Sequence, residues 1–214
     1  DEPIAVDDVF SIDEDATDTF NIFDSANDDN DPDGPLTLQN STFTTDEGVA
    51  ITIDANGDFT YDASGTQFQK LGEGDFIEDM FTYTLEDPVA PNGTSEATVT
   101  IIVTGVNDPV TIPDQEEGVP AATDDSISGP KVIYQVEKND LDNGDVYDFT
   151  ITNKSLSAGA PAVDLNNIVI DSATGEISVS TQDTLINSGQ EYTITLDVSI
   201  AENGGPVADT AVIT

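Results

Sequence analysis

The stretch MFTYTLEDPVAPNGTSEATVTIIV, Met80 to Val103, decides the fold. Phe81-Thr82-Tyr83-Thr84-Leu85 and Thr98 to Val103 are short alternating runs, and Pro88, Pro91, Asn92 and Gly93 fall between them. A period of two puts Phe81 and Tyr83 on one face of a strand, as core residues. The intervening residues are those that end strands and make turns.

Working outward, the same signal recurs along the chain. Val9 to Ile12, Leu36 to Leu38, Ile51 to Ile53 and Phe59 to Tyr61 complete a first set of strands. Ile133 to Val136, Phe149 to Ile151, Ile168 to Ile170, Ile177 to Val179, Thr193 to Ile200 and Ala211 to Ile213 form a second. No segment keeps a 3.6-residue apolar period over three turns. Many short strands at this spacing point to an all-β chain, a sandwich or a barrel. Asn56-Gly57 lies between two strand signals and reads as a type I′ hairpin turn, in which both positions need positive φ. Thr174-Gly175 connects another pair, with its turn type open.

The second set repeats the first. Asn30-Asp31-Pro32-Asp33 matches Asn139-Asp140-Leu141-Asp142, 109 residues on. Gly57-Asp58-Phe59-Thr60-Tyr61 matches Gly175-Glu176-Ile177-Ser178-Val179, and Phe81-Thr82-Tyr83 matches Tyr192-Thr193-Ile194. Order is kept while spacing varies, as loop insertions between two copies of one domain would produce. Two domains of about 100 residues suit a chain of 214. The expected boundary lies near Gly105 to Pro109, giving residues 1–107 and 108–214.

Charge narrows the function. The chain carries 44 Asp and Glu against four lysines and no histidine, for a formal charge of −40. It cannot neutralise phosphates, so nucleic-acid binding is excluded, and anionic membrane surfaces repel it. So many like charges destabilise a folded state, and divalent cations are the natural compensation. There is no cysteine, hence neither disulfides nor thiolate metal sites. No run of about 18 apolar residues exists to form a spanning helix, so no membrane insertion is expected. The opening DEPIAVDD has neither a basic nor an apolar region of a signal peptide, and reads as the start of a domain within a longer chain. Without His or Cys, nucleophile–base pairs of the Ser-His and Cys-His kind are impossible. Paired carboxylates serve glycosidases, but among 44 acids some pair always fits, so no enzyme is read here.

The sharpest motif is Asp29-Asn30-Asp31-Pro32-Asp33-Gly34. Three acids at alternate positions followed by Gly let one tight loop turn its oxygens on a single point, the donor set of Ca2+. The twelfth position from Asp29 is Asn40 and no helices flank the loop, so it is not an EF-hand. A solvated turn rich in Asp and Asn is the alternative. Asp7-Asp8 and Asp124-Asp125 read either as ligands of further ions or, preferably, as charged guards of solvated edge strands.

PIAVDD at 3–8, IDED at 12–15, NDPDG at 30–34, GDFTYD at 57–62, MFTYTLED at 80–87 and ATVTIIVTGVND at 97–108 together resemble the cadherin-like (VCBS-type) repeats of large RTX-type bacterial surface adhesins. The second half resembles the broader cadherin-like group through NDLDNGD at 139–145, IDSATGEISV at 170–179 and YTITLDVSI at 192–200. The resemblance implies two tandem cadherin-like (Ig-like) β-sandwich domains. It implies Ca2+ held at the junction by Asn107, Asp108, Asp140 and Asp142, joined by Glu14, with Glu73, Asp75 and Asp79 as further candidates. It departs from the family in ANDDNDPDG at 26–34, which is one residue longer, and in having only Glu191 before Tyr192. The function it implies is a calcium-dependent extender, extracellular on a bacterial cell surface, monomeric and contacting neighbouring repeats of its own chain. The alternative is a calcium-dependent module for cell-surface glycans or proteins, against which the lack of Trp counts.

Overall fold

Alternation becomes pairing at once. The first part of the chain forms β1 (Asp8–Asp13), β2 (Thr17–Asn21), β3 (Thr42–Thr44), β4 (Ala50–Thr52), β5 (Asp58–Asp62), β6 (Phe76–Glu86) and β7 (Thr94–Thr104). The second part forms β8 (Lys131–Gln135), β9 (Tyr147–Leu156), a 3₁₀ turn at Leu165–Asn167, β10 (Ile168–Ile170), β11 (Glu176–Val179), β12 (Ile194–Glu202) and β13 (Val207–Ile213). This is a computed structural model, and it describes residues 1–23, 29–88, 93–114, 131–158, 165–179 and 193–214. The chain divides into two compact units, Asp1–Asn107 and Asp108–Thr214. Among the described residues, no helix is long and apolar enough to cross a membrane.

In the first unit β6 and β7 run antiparallel in register Phe81↔Val99 and Tyr83↔Ala97. Their inward residues Phe81, Tyr83, Leu85, Ala97, Val99, Ile101 and Val103 are buried, while the residues between them face outward. β1 lies parallel to β7, from Asp8↔Val99 to Asp13↔Thr104. The opposing layer is built from the antiparallel pairs β2–β5 and β3–β4. Between the layers Phe10 stacks on Phe20 at 4.8 Å, Phe59 meets Phe81 edge-on at 5.7 Å, and Phe43 lies 5.4 Å from Phe81. The second unit packs β10–β11–β8 and β13–β12–β9 around Val110, Ile112, Phe149, Ile168, Ile177, Val198 and Ile200. Each unit is a β-sandwich with its own apolar core.

Several expectations change on inspection. Leu36 to Leu38 makes a single bridge, Leu38↔Leu85, and no strand; Pro35 has no N–H to lengthen the ladder. β2 and β3 were hidden because one apolar residue in each, Phe20 or Phe43, carries no visible period. Only Gly57 of the Asn56-Gly57 pair has positive φ, at 88°. Gly57 N–H donates to Asp54 O at 3.1 Å and Asp54 N–H to Asp58 O at 2.9 Å. That is a three-residue loop closing on a left-handed glycine, not a type I′ turn. The β10–β11 loop closes on Gly175, φ 72°, with its N–H on Asp171 O at 2.9 Å.

Asp8 is no solvated guard, whereas Asp7 is exposed at the edge of its sheet, as expected. Asp7 Oδ1 accepts the Thr98 N–H at 2.8 Å, and Asp8 is fully buried beside the Tyr83 hydroxyl at 3.3 Å. Asp124-Asp125, Glu191 and Tyr192 lie outside the described residues.

Candidate metal centres

The D-x-D loops are positioned by one device in both units. In the first, Ile4 and Asn30 exchange backbone hydrogen bonds of 2.7 and 2.9 Å; in the second, Thr111 and Asn139 exchange bonds of 2.8 and 2.7 Å. Each loop then tightens on itself: Asp33 N–H donates to Asp31 Oδ1, and Asp142 N–H to Asp140 Oδ1, both at 3.3 Å. Such side-chain-to-backbone bonds are what Asp supplies in turns. Both acids of each motif therefore face the same corner of their own unit.

In the first unit the backbone nitrogen of Asp1 lies 2.8 Å from Asp33 Oδ2 and 3.9 Å from Asp87 Oδ2. Asp31 Oδ2 is buried with no hydrogen-bond partner. Asp29 plays another part: its carboxylate accepts the Val6 N–H at 2.7 Å and the Tyr83 hydroxyl at 2.8 Å. Burial raises its pKa, against those two bonds.

At the far end of β1, Glu14 is 2% exposed and accepts the Val106 N–H at 2.7 Å through Oε1. Asn107, one residue further, is exposed. Glu73 and Asp75 are exposed. Asp79 lies fully buried in the core, where Oδ2 accepts the Tyr61 hydroxyl at 2.6 Å and Oδ1 the Glu47 N–H at 2.8 Å. Its two oxygens are committed to the fold.

The second unit gathers the densest set. Asp108 N–H donates to Asp142 Oδ2 at 2.8 Å, and Asp142 is 7% exposed. Burial is the main cause of the raised Asp142 pKa, followed among the raising influences by the charges of Asp108, Asp145 and Asp140. Carboxylate oxygens of Asp140, Asp145 and Glu202 lie within 4.8 Å of one another. Asp142 Oδ1 and Asp145 Oδ2 are buried with no hydrogen-bond partner. Leaving ionised oxygens buried without a donor is costly, and converging hard oxygen donors are what Ca2+ takes, six to eight at a time. The residues fit that ion. Asn203, at φ 50°, fixes the far side of the set: its Nδ2 donates to Asp145 Oδ1 at 2.7 Å and its Oδ1 accepts the Val146 N–H at 3.1 Å.

The sequence reading missed Asp145 and Glu202. Glu202 ends β12, and its pairing with Tyr147 at the start of β9 carries it to the loop. The signal lay in the repeat. Buried Phe81, Tyr83 and Leu85 correspond to buried Leu196, Val198 and Ile200, so Asp87 corresponds to Glu202. Matching Phe81 to Tyr192 placed the strand four residues out of step and hid that equivalence.

These features define a class, tandem cadherin-like sandwiches with carboxylate-lined loop corners. Residues 1–105 match the family of the bacterial cadherin-like domain, and the first unit belongs to it. Domains of that family are typically calcium-dependent extracellular adhesion or extender modules. Among solved structures, the chain is similar to the protocadherin GammaB4 extracellular domain, at 14% identity and TM-score 0.54, covering 99% of this chain and 34% of that one. It is similar also to the protocadherin gammaB7 EC3-6 cis-dimer, at 12% identity and TM-score 0.53, covering 100% and 52%. The chain thus spans about half the length of such relatives or less. No curated protein sequence matches it.

Proposed function

We propose that the two units are calcium-dependent extender repeats of a large bacterial surface adhesin, spacing a binding head from the cell. The observation that carries this reading is the second unit's acidic corner. There carboxylate oxygens of Asp140, Asp145 and Glu202 converge, Asp142, tied to the Asp108 N–H, feels the charges of Asp140 and Asp145, and two buried oxygens are left without donors. Asp31 and Asp33, with Asp87, supply the corresponding donors in the first unit, while Asp29 holds the loop to Tyr83. Glu14, Asn107 and Asp108 are the ligands proposed for the segment joining the units, where bound Ca2+ would turn a loose string of domains into a stiff one. A net charge of −40 favours the bound state at the millimolar calcium outside cells.

Calorimetric melting in excess Ca2+ and in EDTA tests this. At one hundred to one thousand times the dissociation constant, linkage adds about 3–4 kcal/mol per site. Small-angle scattering over the same titration should lengthen and narrow in shape with calcium. Equal melting curves in both buffers would remove the calcium claim; unchanged scattering with shifted melting would remove the stiffening claim alone.

A further inference from the structure

The two acidic loops, so alike in backbone, differ in the sign of one side chain's charge. Two residues before D-x-D the first unit has Asp29 and the second has Lys138, and both stand one residue before the bridged Asn30 or Asn139. The Lys138 ammonium lies 3.7 Å from Asp140 Oδ2, whose side chain is only 3% exposed, and 3.7 Å from the centre of the Tyr147 ring. The Tyr147 hydroxyl donates to the same Asp140 oxygen. The ring thus anchors the cation by its face and the acid by its hydroxyl, a geometry that holds an ammonium well. Lys154, by contrast, donates to the carbonyls of Leu165 and Ile168 at 3.1 and 2.6 Å.

We propose that Lys138 is an affinity-setting counter-cation: it partly neutralises Asp140 in the metal-free second unit and raises the calcium concentration at which that unit fills. This rests on the calcium reading above and adds a residue that binds no ion. Ca2+ arriving at Asp140, Asp145 and Glu202 meets a fixed positive charge beside one of its ligands. Lys138 lowers the metal-free repulsion of the cluster and the gain from loading it.

Amide spectra of the whole chain, titrated with CaCl2, read each unit separately. Asp140 to Asp145 report the second and Asp31 to Gly34 serve as control. Lys138→Gln should lower the second unit's midpoint about three- to tenfold, as screened Coulomb interactions at these distances imply, and leave the first unit's unmoved. High salt should shrink that difference. Lys138→Arg should stay within about twofold of the natural chain, because the charge remains. Lys138→Met keeps the aliphatic stem over Tyr147 and decides the matter should the Gln variant unfold. An unmoved or higher midpoint in the neutral variants, with calcium still bound, overturns the role of Lys138 and leaves the calcium reading intact. No response of the natural second unit overturns both.

Discussion

Replacing Asp145 by Asn makes the sharpest test of the acidic corner, because the two expected effects have opposite signs. Asn keeps an oxygen for the Asn203 amide at 2.7 Å, so the loop's anchor survives. It removes one of three charges whose oxygens lie within 4.8 Å of one another. At that separation each like-charge pair costs about 0.9 kcal/mol in a water-like medium and about 3.5 kcal/mol at an effective dielectric of about 20. Two pairs involve residue 145, and these side chains are at least half-buried, so relief of about 2 kcal/mol is a lower expectation. In EDTA the second unit of Asp145→Asn should therefore melt higher, by about 8 °C for a domain of this size. In excess Ca2+ it should lose most of the about 3–4 kcal/mol that binding contributes to the natural chain. Scanning calorimetry of the whole chain in the two buffers reads both effects. A variant that melts lower in EDTA, or that keeps the full calcium-dependent rise, refutes the reasoning.

Three further outcomes follow from the fold. Tyr61→Phe takes from the fully buried Asp79 the hydroxyl that Oδ2 accepts, and leaves it the Glu47 N–H on Oδ1. Urea unfolding should show a loss of about 2–3 kcal/mol, the cost of a missing bond to a buried charge. Gly105→Ala would set a methyl group 2.3 Å from Gly72 O and 2.6 Å from Leu71 O, both backbone. It should destabilise the first unit by about 2 kcal/mol or more, since backbone rather than a flexible side chain must move. Asp171 has its pKa lowered by the Thr174 N–H above all, then by the Thr174 side chain and the Ala173 N–H. A depressed carboxylate contributes stability above the ordinary range near about pH 4 that is lost as pH falls through the lower folded value. Asp171→Ala should thus show a smaller stability loss than the natural chain on that acid limb, measured by urea melts between neutral pH and about pH 2.

Strands with two or more inward apolar residues were legible at once, because burial on one face imposes the period of two. Phe81, Tyr83 and Leu85 read as core and are core. β2 escaped because Thr17-Asp18-Thr19-Phe20-Asn21 owes its place to pairing with β5, a tertiary cause with no local period. The turn at Asn56-Gly57 was legible but not its type, since residue identity fixes where positive φ is tolerated rather than where it occurs. At the candidate centres, the D-x-D loops stand out because their acids are close together in sequence. Glu202 does not, because the β12–β9 ladder alone brings it across from far along the chain. Asp29 had the right residue type beside the right motif, and its carboxylate is spent on Val6 and Tyr83 instead.

The parallel pairing of β1 with β7 has a mechanical consequence. β1 enters the first unit from its N-terminal side and β7 leaves toward its C-terminal side, with six residue pairs from Asp8↔Val99 to Asp13↔Thr104. Tension applied along the chain pulls these two strands in opposite directions along their own axes. The ladder is then loaded in shear, all its hydrogen bonds at once, rather than opened one by one like a zip. Single-molecule stretching should find the rupture force of this unit falling sharply when a proline replaces Phe10, whose alignment with Ile101 sits mid-ladder. A repeat joined in this way yields late and abruptly.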